Sequence, residues 1–226
     1  MLTEKRPYQT DAYNVLNDPE AAKASPWHFA PDDEWGKPVE SATLIYAHPD
    51  DETIFAGGLL LAYPEWNWTL LRMVGANDQK RERDHEKALD LYRAEGVNIQ
   101  AHCFNGVDEW LNWIGRVHWS MALAKVRGAT DVVFTHGYRG EYGHPHHTAL
   151  HHIVNTLYDN VWHFFHPSGR EQEPQLLMGR VNVIPTDERK RRIMESAYPE
   201  MLVALTNADP GLVEAQFSGK PEYFTR

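Results

Sequence analysis

The sequence predicts an α/β protein with a mainly parallel, doubly wound sheet and helices on both faces. Two observations indicate this class. Short β-like runs alternate with longer helix-like runs from about residue 39 onward, and this rhythm is typical of βαβ units. The length of 226 residues suits one large domain with a single core. We therefore predict one domain over residues 39–226, preceded by an N-terminal arm over residues 1–38.

Each element of this domain follows from its own run of residues. The predicted strands are, in order, SATLIYA, WTLLRMVG, VNIQAHCF, ATDVVFTHG, VWHFFHP and GRVNVIP. The predicted helices are ETIFAGGLLLAY, DQKRERDHEKALDLYRAEG, a run ending near MALAKVRG, HHTALHHIVNTLYDNV and TDERKRRIMESAYPEMLVAL. The last helix has acids in its first turn, and Thr186 is its predicted N-cap. The arm is polar and rich in turn residues, so we expect it to lie on the domain, anchored by its aromatic side chains.

The composition argues against several kinds of partner. The chain has 22 basic and 32 acidic residues, a formal net charge of −10, and no basic stripe, which argues against binding to nucleic acid. Its single cysteine, Cys103, cannot form an internal disulfide, which suits a reducing compartment. The sequence has neither a signal-peptide core nor a run long enough to span a bilayer. We expect a soluble, cytoplasmic protein without a membrane partner.

Two polar clusters follow predicted strands. The run HPDDE, from His48 to Glu52, comes directly after LIYA, and THGYRGEYGHPHH follows DVVF. In an open parallel sheet, ligands bind beyond the carboxyl ends of the strands, because loops and helix N-termini converge there. We therefore expect the two clusters to meet across a crevice, although nearly ninety residues separate them.

The residue types in these clusters suit a catalytic metal. His48 and Asp51 can converge because Pro49 fixes one backbone angle of the turn. A catalytic zinc takes three protein ligands and leaves a position for water. Candidates for the third ligand are His144, His146, His147, His151 and His152. Pro145 is predicted as the first helical residue.

The same clusters also offer an acid–base pair. Asp50 lies between two proposed ligands and is left as a carboxylate that could take a proton from metal-bound water. A protonated histidine such as His144 would stabilise the oxyanion.

Each cluster also has a simpler interpretation. The acids of HPDDE could favour a helix N-terminus, and most of the histidines could lie on a solvated helix face. His136 either lines the site or closes a strand. We interpret Glu52 as a helix-start acid, and Gly57 and Gly58 as sites of close packing rather than of phosphate binding.

The motifs AHPDDE and THGYRGEYGHPHH resemble those of the PIG-L/LmbE-like family of zinc-dependent N-acetylglucosaminyl de-N-acetylases, over about residues 40–160. The resemblance implies a Rossmann-like fold, a deacetylase domain over residues 39–226, and hydrolysis of an N-acetyl group. It implies His48, Asp51 and His147 as metal ligands. It also implies Asp50 as general base and His144 as the residue that stabilises the oxyanion.

The chain departs from the family pattern at one position. The second motif often reads His-Pro-Asp-His, whereas His146 stands here in place of the acid, and Glu141 is a conceivable substitute. The family also carries an Arg-x-x-Glu on the helix after the second strand, which RDHE fits, so Arg83 rather than Arg81 is predicted to contact the substrate. A late tyrosine assists in some relatives, and Tyr198 is one candidate.

These inferences predict a metal-dependent hydrolase that removes an N-acetyl, or other N-acyl, group from an amino-sugar conjugate, with metal-bound water as nucleophile. The expected cofactor is Zn²⁺ or another divalent cation, and the expected partner is a small N-acetylated amino sugar. The alternatives are a metallohydrolase of another bond, such as a phosphoester, and a non-catalytic metal-binding module. Trp110, Trp113 and Trp119 could stack on a sugar or fill the core.

Overall fold

The computed structural model describes residues 38–75, 77–106, 113–165, 181–184, 187–208, 210–217 and 222–226. The predicted N-terminal arm, apart from its last residue, lies outside the described residues. Trp110 and Thr186 also lie outside them.

A seven-stranded sheet forms the centre of the fold, in the order β3-β2-β1-β4-β5-β7-β6. The strands are β1 (Ser41–Tyr46), β2 (Asn67–Val74), β3 (Ile99–Gly106), β4 (Val132–Thr135), β5 (Val161–Phe165), β6 (Val181–Ile184) and β7 (Glu222–Thr225). The first five strands pair in parallel, and β7 runs antiparallel to both β5 and β6. The predicted mainly parallel sheet is confirmed.

The helices connect these strands. They are α1 (Asp51–Ala62), α2 (Gln79–Ala94), α3 (Trp113–Val126), the short turn α4 (Gly140–Gly143), α5 (Pro145–Leu157), α6 (Glu188–Ala197), α7 (Pro199–Ala208) and α8 (Pro210–Phe217). The side chain of Asp78 caps α2 by accepting from the backbone N–H of Lys80 and Arg81, and α5 begins with Pro145 as predicted.

The sheet is buried on both faces. Along β1, Leu44 and Tyr46 pack into one apolar cluster with side chains of α1, α2 and α6. Ile45 and Ala47 pack into a second cluster with side chains of α3 and α5. Because successive side chains of a strand point to opposite faces, the continuous apolar run of β1 fits helices on both sides. This confirms the predicted layering.

The order of the strands reverses between β1 and β4. From β1 the chain continues outward to β2 and β3, and β4 then pairs on the other side of β1. Ligand sites in open α/β sheets lie outside the carboxyl ends of the strands at such a switch point. HPDDE follows β1 and the histidine-rich run follows β4, so both border the same crevice.

The C-terminal part of the chain differs from the prediction in three ways. The predicted last helix is two helices, α6 and α7, because Pro199 lacks an N–H and disfavours helical backbone at the residue before it. The N-cap of α6 is Asp187 rather than Thr186, and its carboxylate accepts from the backbone N–H of Arg189 at 2.8 Å. Strand β7 was not predicted.

A buried ion pair joins this C-terminal part to α1. Lys190 Nζ lies 2.7 Å from Glu222 Oε1 and donates to the carbonyl oxygen of Ile54. Glu222 accepts from the backbone N–H groups of Gly58 and Leu59 at 2.8 and 3.0 Å. A Cβ atom at position 58 would lie 3.0 Å from the Glu222 carboxyl carbon. The glycine is therefore needed for close packing, as the sequence predicted.

Candidate metal centre and active site

The HPDDE turn connects β1 to α1. The backbone N–H of His48 donates to Asp51 Oδ2 at 2.7 Å, which folds the Asp51 carboxylate back toward the end of β1. Asp50 has a φ of 107°, a region that L-residues rarely occupy. The turn therefore separates the side chains of two neighbouring aspartates.

The second cluster enters the crevice on the turn α4 and the first turn of α5. The His144 ring caps α5, since its Nδ1 accepts from the backbone N–H of His146 at 3.3 Å. His147 lies in the first turn of the helix and is fully buried. The helix entry thus brings both histidines toward β1.

Three ligand atoms from the two clusters lie close together. His48 Nδ1 is 3.2 Å from Asp51 Oδ2 and 3.1 Å from His147 Nε2, and His147 Nε2 is 3.3 Å from Asp51 Oδ2. All three side chains are buried. Tetrahedral zinc with bonds of about 2.0–2.1 Å separates its ligand atoms by about 3.3 Å. The residues present therefore fit a divalent cation with one His–Asp–His face.

Glu141 supports this face from behind. Its buried carboxylate accepts from His147 Nδ1 at 2.6 Å, from His136 Nδ1 at 2.9 Å and from the backbone N–H of Gly137 at 2.7 Å. A carboxylate on the distal nitrogen of a metal histidine fixes its tautomer and orientation. Glu141 has a φ of 57°, a strained position that three hydrogen bonds hold. Glu141, the conceivable substitute for the acid that the second motif lacks, thus contacts His147 and His136.

His136 lies beside the cluster and is fully buried. Burial opposes its protonation, but the carboxylates of Glu141 and Asp51 raise the pKa of the ring to about 9. The backbone N–H of Ala47 donates to His136 Nε2 at 3.1 Å, so this nitrogen must carry a lone pair. This contact favours the neutral ring, with its proton on Nδ1 toward Glu141. His136 therefore lines the site as a supporting residue.

The two aspartates have opposite electrostatic environments. Burial and the adjacent Asp51 carboxylate raise the pKa of Asp50 well above its usual range, while Arg81 lowers it. Burial also disfavours the charged form of Asp51, but His147 and His136 hold its pKa well below the usual range. Asp51 is therefore held as an anion, which suits a metal ligand. Asp50 has a higher proton affinity, which suits a general base.

His144 lies at the entry of α5. Burial and the neighbouring histidines lower its pKa to about 4, which favours the neutral ring, and the predicted oxyanion role of His144 stays a prediction. Its Nδ1 accepts from the helix N-terminus, which leaves the proton on Nε2. A neutral imidazole of this tautomer still donates one hydrogen bond.

The arginine beside the site is Arg81. Its Nη2 lies 3.7 Å from Asp50 Oδ2 and donates to the carbonyl oxygen of Pro49 at 3.3 Å. Arg83 is exposed on the solvent side of α2. Residues two positions apart on a helix point in directions about 200° apart. Only one of Arg81 and Arg83 can therefore face the turn. The structure places Arg81, rather than the predicted Arg83, beside the turn, and which arginine contacts a substrate stays a prediction.

Sequence reasoning also missed an aromatic residue of the site. The ring centroid of Tyr142 is 5.4 Å from that of His147, and 52% of the residue is exposed. The candidate Tyr198 is instead buried, and its hydroxyl donates to Glu52 Oε1 at 2.8 Å. Glu52 is fully buried and accepts from the backbone N–H of Asp50. Burial raises the pKa of Glu52 to about 7, and its contacts fit a structural acid of the turn.

Three other described candidates, Trp119, His151 and His152, do not belong to the group of three ligand atoms. Trp119 is buried in the second apolar cluster, where its ring contacts His146. His151 Nδ1 is bonded to the carbonyl oxygen of His136 at 3.1 Å, and His152 is exposed. The side chain of Trp113 lies outside the described residues.

Fold and site together define an α/β protein with a candidate His–Asp–His cation site at the switch point of a mainly parallel sheet. The PIG-L family, described as GlcNAc-PI de-N-acetylase, matches residues 43–158. The chain belongs to this family.

Solved structures of deacetylases share the fold. A triple mutant of a deacetylase of the teicoplanin biosynthetic pathway has a TM-score of 0.59 and 15% identity, over 81% of this chain and 96% of that chain. The zinc-inhibited form of teicoplanin deacetylase has a TM-score of 0.58 and 14% identity, over 81% and 97%. The N,N'-diacetylchitobiose deacetylase of Pyrococcus horikoshii, complexed with an inhibitor, has a TM-score of 0.55 and 16% identity, over 98% and 93%.

A comparison with curated protein sequences found no match. Among the described residues, no helix has the length and apolar character needed to cross a bilayer. The cytoplasmic location stays a prediction.

Proposed function

We propose that the chain is a cation-dependent hydrolase that removes an N-acetyl, or another N-acyl, group from an amino-sugar conjugate. One observation carries the proposal: the three buried ligand atoms at mutual distances of 3.1 to 3.3 Å lie next to Asp50, a carboxylate outside that set. Membership of a family described as a de-N-acetylase supports the choice of bond. Deacetylases among the structures of the same fold support it as well.

His48, Asp51 and His147 would hold the cation, and their donor set suits zinc while tolerating other divalent ions. A cation bound there would act as a Lewis acid, polarising a carbonyl oxygen and lowering the pKa of a water molecule.

Asp50 performs the proton transfers in this proposal. As general base it takes a proton from the attacking water while the new carbon–oxygen bond forms at the amide carbonyl. It then returns the proton to the nitrogen as the carbon–nitrogen bond breaks, so acetate and a free amine leave. The raised pKa of Asp50 suits a group that must both accept and donate.

His144 faces the same centre from the entry of α5. Its ring centroid lies 4.6 Å from those of His48 and of His147. In its neutral form the Nε2–H would donate to the carbonyl oxygen as negative charge develops there. The helix cap fixes this tautomer before substrate arrives, which avoids reorganisation during the reaction.

Arg81 and Tyr142 would contact the sugar. Arg81 is about one-quarter exposed and already reaches the turn that carries Asp50, so its guanidinium can bind a hydroxyl or an anionic group. The exposed ring of Tyr142 offers an apolar face at the rim of the site. We propose Arg81, in place of Arg83, as the substrate arginine.

The test combines metal analysis with measurement of amine release. Purified protein should contain about one divalent cation per chain, and chelation should abolish release of amine from N-acetylated sugars until cation is restored. His147→Ala should lose the cation and the activity. His152→Ala, on the exposed face of the same helix, should retain both.

Three results would contradict the proposal. Hydrolysis of phosphomonoesters without hydrolysis of any N-acyl substrate would indicate a different bond. A loaded protein inert toward the whole panel would indicate a binding module. Retention of cation by His147→Ala would show that the ligand set is wrong.

A further inference from the structure

Each histidine of the proposed cation site has a partner on its second nitrogen. For His147 this partner is the Glu141 carboxylate. For His48 it is another histidine, because His48 Nε2 lies 3.0 Å from His146 Nδ1. Both rings are buried, with 5% of His48 and 3% of His146 exposed. His146 thus stands where solvent would otherwise meet the back of a ligand.

We infer that His146 is a positioning residue for the cation site, accepting a hydrogen bond from His48 Nε2–H so that His48 Nδ1 is left with its lone pair. This inference rests on the proposed function, since it assumes that His48 Nδ1 binds the cation. It assigns a role to the residue at which the chain departs from the usual family motif.

The direction of the hydrogen bond follows from the opposite side of the ring. His48 Nδ1 is the nitrogen that faces Asp51 Oδ2 and His147 Nε2, so this nitrogen must be unprotonated when it binds a cation. The proton of neutral His48 must then lie on Nε2. His146 Nδ1 is the atom within hydrogen-bond distance of it and must present a lone pair.

Two further contacts hold the His146 ring where it can accept this bond. Trp119 meets the ring edge-on at a centroid distance of 5.5 Å. The His48 ring lies nearly parallel to it, at 5.1 Å and 23°. His146 is also tied at its backbone, whose N–H donates to His144 Nδ1. His146 therefore acts on two rings. Its side chain favours the Nε2–H tautomer of His48, and its backbone N–H favours the Nε2–H tautomer of His144.

The chemistry of this partner differs from that of Glu141. A carboxylate places negative charge behind a metal histidine and makes the ring more basic, whereas a neutral imidazole only orients it. In this inference a carboxylate lies behind His147 and a neutral acceptor behind His48.

The experiment compares three substitutions of His146 in the full chain, with zinc affinity measured by chelator competition. Asparagine places its side-chain oxygen near the position of Nδ1, so His146→Asn should bind zinc within a few-fold of the wild type. Leucine offers no acceptor, and glutamine places its amide near the position of Nε2. His146→Leu and His146→Gln should both bind zinc about 10- to 100-fold more weakly. His152→Leu on the exposed face of α5 is the matched control.

A spectroscopic readout separates positioning from general loosening of the fold. In the cobalt-substituted protein, His146→Asn should keep the wild-type absorption bands of the metal, and His146→Gln should shift them. Thermal melting of the metal-free variants checks folding. If His146→Leu fails to fold, the comparison of His146→Asn with His146→Gln still decides the question.

Equal zinc affinity in His146→Asn, His146→Gln and the wild type would overturn the inference, and so would absence of zinc binding in the wild type. Failure of the proposed function has a different signature. Wild-type protein would then bind zinc in a His147-dependent manner without releasing amine from any substrate, and the effect of His146 on affinity would persist.

Discussion

Asp50, the proposed general base, has a strained backbone conformation. Its φ of 107° costs about 1–3 kcal/mol for an L-residue. The strain is held because its N–H donates to Glu52 Oε2 and its carbonyl oxygen accepts from Thr53 and Ile54. The turn therefore fixes where this carboxylate points, independently of the neighbouring ligand Asp51.

The substitution Asp50→Asn should separate catalysis from cation binding. Asparagine keeps the size of the side chain and removes its basicity, while all three proposed ligands remain. We expect normal cation content and a fall in kcat of about 100-fold or more, measured as amine release from a good N-acetylated sugar.

Asp90→Asn, an exposed aspartate on α2, is the matched control and should behave as wild type. Near-normal turnover of cation-loaded Asp50→Asn would show that another group is the base, with Glu52 and Glu141 as the next candidates.

The two arginines of α2 give a second prediction at this scale. Arg81→Ala should lower kcat/KM by about 10- to 100-fold, because a charged hydrogen bond contributes about 1.5–3 kcal/mol. Arg83→Ala should leave kcat/KM unchanged, since its side chain points to solvent. Steady-state kinetics with one substrate checks both, and the reverse pattern would restore Arg83 as the substrate residue.

The sequence predicted which residue types meet at the site, but not how each is oriented. His48, Asp51 and His147 could be chosen because two motifs carry them, and the structure brings their ligand atoms together. The choice between Arg81 and Arg83 depends on the phase of a helix whose first residue was uncertain by a few positions. The role of Glu141 depends on its positive φ. A positive φ at a residue other than glycine cannot be predicted from the sequence.

At the scale of elements, Asp131 fixes the start of β1 to the start of β4. Its Oδ2 accepts from the backbone N–H groups of Glu40 and Ser41 at 3.0 and 2.8 Å, and from the Ser41 hydroxyl at 2.9 Å. The two strands that carry the halves of the site are therefore joined at the opposite end of the sheet as well.

Asp131→Ala should lower the free energy of unfolding by about 0.5–1.5 kcal/mol, because two backbone N–H groups and a hydroxyl at a partly exposed site lose their acceptor. Burial opposes ionisation, but these N–H groups lower the pKa of Asp131 from 3.8. A depressed folded-state pKa stabilises the protein above the unfolded-state pKa. The difference between variant and wild type should therefore shrink as pH falls below about 3.8.

Urea unfolding at several pH values measures this difference. Asp159→Ala provides the control, since that side chain is fully exposed and pairs with Arg127 across 3.9 Å at the surface. A penalty for Asp131→Ala that does not change down to pH 3 would show that the carboxylate acts through packing rather than charge.

The elements that the sequence predicted best have strong local signals. Strands β1, β2 and β4 are apolar runs, and α2 has an aspartate cap. Strand β7 could not be predicted because it is four residues long and pairs with β5 and β6, both distant in sequence. Pro199 indicates the break between α6 and α7. The apolar periodicity of the run nevertheless favoured the prediction of one continuous helix.

At the scale of the molecule, the Lys190–Glu222 pair connects three regions of the chain. It joins α6 and β7 to the middle of α1, the helix whose first turn contains Asp51. Lys190 also donates to the Gln216 side chain at 3.0 Å. Burial lowers the pKa of Lys190, although Glu222 opposes this shift.

Glu222→Gln should lower the free energy of unfolding by about 3–5 kcal/mol, because it leaves a buried ammonium without its anion. The stability of this variant should rise with pH, since burial favours the neutral amine and the unfolded chain then binds more protons than the folded one. Lys190→Met combined with Glu222→Gln should recover part of the loss.

Glu195→Gln is the matched control, since it removes the anion of an exposed pair with Arg191 on the same helix and should cost less than about 1 kcal/mol. Chemical denaturation of these three variants and the wild type measures these effects. Equal losses for Glu222→Gln and Glu195→Gln would show that the buried pair is no more important than a surface one.

The buried pair also has a consequence for synthesis on the ribosome. Gly58 and Glu222 are 164 positions apart, so most of the chain must be translated before α1 acquires its acceptor. His48 and His147 are 99 positions apart and can meet earlier. During synthesis the proposed cation ligands can therefore meet before Glu222 reaches Gly58 and Lys190. Contacts of such long sequence separation slow folding, so we expect the contacts of Glu222 with α1 to form later than the contact between His48 and His147.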